Sequence, residues 1–114
     1  MTTLERLGTY LAAGKTLTPS GLASAKLHLL DTVAAWVAGM GTQEGRALLA
    51  FRGQTLRDAA GAEPVSAAVV THCGLARLSE IDDIHIASMT TAGAIVVPAA
   101  LTLAVSLRKT DERH

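Results

Sequence analysis

With 114 residues the chain is long enough for one domain built around one core. Ten basic and ten acidic residues cancel, which removes the charge excess expected of a protein that binds nucleic acid or an anionic membrane. Hydrophobic residues make up 49%, aromatics only 3%, and the mean hydropathy is +0.34, which predicts alanine-rich, closely packed helices with apolar surface covered by a second chain.

The first helix is predicted to start at Thr2, which stands at capping-box spacing from Glu5. Leu4, Leu7, Tyr10 and Leu11 then share one face, and Gly14 is the stop. This N-terminal stretch carries Glu5 and Arg6 early, with no basic region leading into an apolar core, so it does not read as a signal peptide. The second helix has Thr18 as N-cap, Pro19 at its first position, and Gly39 and Gly41 at its end. Leu22, Leu29, Leu30, Val33, Val37 and Met40 form an apolar stripe that Leu27 and Trp36 widen, which predicts a central helix buried on much of its circumference.

A third helix is expected over about Gln43 to Phe51, with Ala47, Leu48 and Phe51 facing inward. Residues 52–64 read as an exposed loop broken by Gly53 and Gly61. The fourth helix is placed from near Glu63, rich in small residues that let a neighbouring backbone come close. The fifth is placed from Gly93 to about Arg108, with Pro98 kinking it or marking its first turn. From Ile84 to Ser106 there is no Asp, Glu, Lys or Arg, but the continuously apolar part, residues 93–107, is shorter than a bilayer span, so a buried helix is preferred to a membrane-crossing one. The fold class expected is all-α, with about five helices and no strand. The single cysteine, Cys73, is expected to be a small buried residue; it excludes an internal disulfide and a cysteine metal cluster, and it fits a cytoplasmic location.

Between the two most apolar segments lies the acidic stretch "RLSEIDDIHIASMTTAG", residues 77–93. Glu80, Asp82 and Asp83 fall close together, His85 follows, and Ser88, Thr90 and Thr91 supply hydroxyls. The plain reading is a solvated helix terminus. The chemical reading is a proton-transfer site, because crowded carboxylates raise one another's pKa and a histidine nearby serves as acid or base. Thr90, Thr91 and the N–H groups opening the fifth helix would hold a substrate carboxylate. Asp82, Asp83 and His85 are all possible metal ligands, but their spacing matches no strong metal motif, so a metal site is not the preferred reading. His28 and His72 lie on helix faces and read first as hydrogen-bonded structural histidines.

Two blocks carry a family resemblance. "AKLHLLDTVAAWVAGMG", residues 25–41, resembles the second helix of the MmgE/PrpD family, which includes 2-methylcitrate dehydratase and cis-aconitate decarboxylase. "EIDDIHIASMTTAGAIVVPAALTLA", residues 80–104, resembles that family's acidic block and the Pro-Ala-Ala-Leu helix after it. The resemblance runs from about residue 4 to 107 and implies the N-terminal part of a helical domain. It implies action on a carboxylic acid by dehydration, decarboxylation or isomerisation without a cofactor. Family chains are several times longer and add further helices and an α/β lid. The chain is therefore expected to be a fragment, or the small subunit of a split enzyme with a larger MmgE/PrpD-like partner; the polar ending, residues 108–114, favours the subunit.

Carried over by position, the resemblance places Glu80 at a catalytic acid and matches Asp82 and Asp83 to a paired-aspartate motif. Ile84 replaces a frequent threonine, Arg77 a frequent histidine and His72 a frequent asparagine, while Thr90 or Thr91 stands where a catalytic histidine is common. The resulting site has Glu80, Asp82, Asp83 and His85 as catalytic residues, Glu80 and His85 moving protons and the aspartates orienting them and capping the fifth helix. Thr90, Thr91 and His72 bind the substrate. The alternative is a non-catalytic helical subunit that stabilises a larger partner.

Overall fold

The computed structural model describes residues 1–14, 16–55, 61, 63–81 and 83–111. Five helices follow one another, α1 (Thr3–Ala12), α2 (Pro19–Met40), α3 (Gln43–Thr55), α4 (Val65–Arg77) and α5 (Gly93–Asp111), and the described residues contain no strand. The fold class is all-α, as the sequence predicts.

The helix starts follow local chemistry. Thr2 Oγ1 accepts the Glu5 N–H at 3.2 Å while Glu5 Oε2 accepts the Thr2 N–H at 2.6 Å, a complete capping box. Thr18 Oγ1 accepts the Gly21 N–H at 3.1 Å and Pro19 opens α2. α4 begins at Val65, two residues later than the sequence places it. Pro64 is its N-cap with no side-chain bond, and Glu63 lies outside the helix because a residue before proline is driven to extended backbone. α5 runs through Pro98 without interruption; the proline has no N–H to give the Ala94 carbonyl and is itself buried.

α4 is the hub. It packs against α5, α2 and α3, and α2 also meets α5 and α3, whereas α1 packs against no other helix. The core is made of small side chains: Thr32, Ala35 and Gly39 on α2, Ala68, Thr71, Leu75 and Ala76 on α4, and Ala94 and Pro98 on α5. Thr32, Ala35 and Gly39 recur at helical spacing and define the face that α4 and α5 grip. The two buried threonines satisfy their hydroxyls on their own helices, Thr32 Oγ1 donating to His28 O and Thr71 Oγ1 to Ala67 O, each at 2.9 Å.

The predicted stripe of α2 is not the packed face. Leu22, Leu27, Leu29, Leu30, Val37 and Met40 are exposed, with Leu27 at 68% and Leu30 at 66%. The helices close on the small-residue face because only there do the backbones come within contact distance. The inward face of α3 is likewise displaced: Gly45 is buried and Leu48 and Arg52 half-buried, while Ala47 and Phe51 are exposed. The accessible surface of 8410 Å² exceeds by roughly 2,500 Å² the value of about 5,900 Å² expected for a compact monomer of this mass. The radius of gyration, 16.5 Å, compares with about 13 Å for a compact chain of this length. No described helix is long and apolar enough to cross a membrane.

The crossing of α2 and α4 depends on Gly39, where a Cβ would overlap the Leu75 backbone carbonyl. Because backbone cannot move aside as a side chain can, Gly39→Ala is expected to destabilise the fold by about 1–3 kcal/mol in urea denaturation. Gly8→Ala, on the unpacked α1 with nothing near the new methyl, is expected to leave the midpoint within about 0.5 kcal/mol.

Candidate functional site

The residues singled out in the sequence divide between two places. The turn from Ile81 to Ala92 carries Glu80 at its entrance, and its geometry is set locally. His85 N–H donates to the Thr90 carbonyl at 2.8 Å and Ser88 N–H to the His85 carbonyl at 3.2 Å, closing a small loop. Ser88 Oγ lies 2.7 Å from both His85 Nδ1 and Thr90 Oγ1. Glu80 and Met89 adopt left-handed backbone, with φ of 51° and 52°, uncommon for residues other than glycine. Glu80, His85 and Thr90 are exposed in the chain on its own, and Thr91 is half-buried. Asp82 lies outside the described residues.

Asp83 does not join that hydroxyl cluster. Its Oδ2 lies 3.1 Å from His28 Nδ1 on α2, and the carboxylate is 28% exposed. Its Oδ1 is buried and accepts no hydrogen bond, so Asp83 does not cap α5 as the sequence reading had it. The pairing with α2 wins because Gly93 lets the carboxylate settle against the start of α5; a methyl there would collide with Asp83 Oδ1 and stand 2.8 Å from Thr32 Oγ1. Nor does Asp83 orient Glu80 or His85: no hydrogen bond or ion pair among the described residues links them. The His28–Asp83 pair borders an open hollow of about 520 Å³ lined by Leu27, Leu30, Asp31 and Ala34.

Chemically, this is a carboxylate set against an imidazole. His28 Nδ1 faces Asp83 Oδ2 at ion-pair distance, and the imidazole side chain is 59% exposed. From the sequence alone His28 reads as a structural histidine. The signal that finds it is its position in the 27–31 segment, with Asp31 three residues on and facing the same hollow.

His72 lies elsewhere, in a cavity of about 500 Å³ that shares no lining residue with the first. It is the centre of a relay. Arg52 Nη1 stands 2.9 Å from His72 Nε2, His72 Nδ1 stands 2.8 Å from Thr102 Oγ1, and Thr102 Oγ1 donates to the Pro98 carbonyl at 2.6 Å. An arginine only donates, so Nε2 accepts and the imidazole is neutral with its proton on Nδ1. Glu63 completes the group by pairing with Arg52 through both carboxylate oxygens. Trp36 lies against the imidazole with ring centroids 4.4 Å apart. His72 is thus separated from Thr90 and Thr91, with which the sequence reading grouped it, and it ties α3, α4 and α5 together.

Burial, and then the Arg52 charge, lower the His72 pKa from 6.5, with Glu63 opposing. Burial pushes the Cys73 thiol up, and its Sγ donates to the Ile95 carbonyl at 3.4 Å, so it is not a ready thiolate. Among the described residues no three His, Cys, Asp or Glu side chains gather closely enough to hold a metal.

The fold and the site define a helical domain carrying an acid–base pair at the edge of uncovered apolar surface. Comparison of the chain with protein-family models, with curated proteins and with solved structures found no match.

The lowered pKa of His72 sets a sign for the pH dependence of stability. The unfolded chain takes up this proton near pH 6.5 and the folded chain only at lower pH, so stability is full above 6.5 and falls as pH drops towards the lowered value. Urea midpoints between about pH 7.5 and about pH 5.5 are expected to fall for the native chain and to fall less for His72→Gln, which has no proton to gain.

Proposed function

We propose that the chain is one part of a heteromeric lyase or isomerase of the MmgE/PrpD type, acting on a small carboxylic acid by cofactor-independent proton transfer. A larger subunit with the remaining helices and the lid covers the exposed faces of α1 and α2. The observation that carries this reading is the position of the His28–Asp83 pair, which borders a hollow beside Leu27 and Leu30, two leucines that the chain leaves exposed. Large apolar side chains around an acid–base pair are the lining of a site that a second polypeptide closes.

In this reading Asp83 positions His28 as its charge partner, and the imidazole removes a proton from the carbon next to the substrate carboxylate. In a dehydration the same proton leaves with the departing hydroxyl as water; in an isomerisation it returns to another position. Glu80 and His85 serve the second proton transfer. Thr90 and Thr91 bind the carboxylate with their hydroxyls, alongside the first N–H groups of α5.

The second reading, a non-catalytic subunit, is favoured by the closed hydrogen-bond set of the turn, in which His85 is already engaged by Ser88. The two readings separate in the reconstituted complex. Exchange of solvent deuterium into a panel of small carboxylic acids is expected to slow at least about 100-fold in His28→Gln and in Asp83→Asn, with the complex intact by light scattering. Smaller losses are expected for Glu80→Gln and His85→Ala. Unchanged exchange in all four variants would leave only the structural subunit.

A further inference from the structure

We propose that the cavity between α2, α4 and α5 is a binding site for a small, uncharged, mainly apolar molecule. It is separate from the hollow beside His28 and Asp83 and does not depend on the function proposed above. Its volume of about 500 Å³ lies in the range of small-molecule sites. Trp36, Ala68, Leu101 and Val105 give it apolar walls, and its polar end is made by Arg52, Glu63, His72 and Thr102.

The choice of ligand class rests on how that polar end is satisfied. Arg52 is the only cation among the described lining residues, and it is paired through two nitrogens with Glu63 while a third donates to His72. His72 is held neutral by that donor, and its other nitrogen is engaged by Thr102. Among the described residues Arg52, Glu63 and neutral His72 therefore sum to no net charge. A carboxylate entering the cavity would find its cation already taken and the Glu63 carboxylate beside it. A cation would compete with Arg52 for a carboxylate bound at both oxygens. An uncharged molecule meets neither cost, and because the polar groups satisfy one another, apolar surface packed over them strands no donor or acceptor. The indole of Trp36, tilted against the imidazole at 40°, offers apolar ring surface for such a ligand.

Trp36 is the only tryptophan of the chain, so its fluorescence reports occupancy directly. The full chain is titrated near neutral pH with three molecules of one shape: cyclohexanol, cyclohexanecarboxylate and cyclohexylammonium. Cyclohexanol is expected to give a saturable change, and the two ions at least about tenfold weaker binding. Val105→Phe, placed on a half-open wall, is expected to weaken the cyclohexanol response about tenfold with the circular dichroism unchanged. The proposal is overturned if no ligand gives a saturable change, if the ions bind as well as the alcohol, or if a folded Val105→Phe titrates like the native chain. The comparison of the three molecules is made on the unaltered sequence, so it decides the matter even if the variant does not fold.

Discussion

The close approach of Gly39 on α2 to the Leu75 carbonyl of α4, where no Cβ would fit, decides how the rest is arranged. Two helices that meet through backbone and methyl-sized side chains gain dispersion energy over many atoms at short range. They do so with little large apolar surface: among the described residues, Leu75 and Pro98 are the buried aliphatic side chains bigger than alanine. Once α2 has committed its Thr32–Ala35–Gly39 face to this crossing, its leucines point elsewhere. Among the described residues no other helix is positioned over them, and α1, which has an apolar stripe of its own, packs against no other helix. A helix of this length is marginal without tertiary support. The geometry that makes a tight small-residue core is thus the same geometry that leaves a large apolar surface open.

The two polar clusters differ in a way that follows from this asymmetry. Around His72, in the helical cluster gripped by α4, each polar atom of the relay has a partner within the chain, and the imidazole is locked in one tautomer. At the edge of α2, Asp83 has one oxygen paired with His28 and one buried without a hydrogen bond. A satisfied network rigidifies; an incompletely satisfied one is costly. The acidic turn sits on the second kind of surface, not the first.

Much of the fold was legible because it is set locally. Thr2 with Glu5, Thr18 with Pro19, and Gly93 at the head of α5 each fix a helix end through neighbours in sequence, and each is where the residues place it. What periodicity does not say is which face finds a partner. It marks the leucines of α2 as apolar, and so as buried, although the partner helices settle on alanine, threonine and glycine. The same limit holds for the inward face of α3, where Leu48 is half-buried as expected but Gly45 and Arg52 take the places expected of Ala47 and Phe51. At the site, the presence of acids and hydroxyls between apolar helices was legible, but the pairing of Asp83 with His28 joins distant parts of the chain. Glu63 as the partner of Arg52, and Arg52 as the donor that neutralises His72, are equally non-local and leave no mark in spacing.

On the function proposed above, a second polypeptide and not this one stabilises the apolar faces of α1 and of the first half of α2. Amide hydrogen exchange on the chain alone, verified as an 11.8 kDa monomer, tests it most directly. The account predicts that residues 3–30 exchange nearly as fast as an unfolded peptide while Thr71 to Ala76 are protected. Strong protection across residues 3–30 in that monomer would contradict it.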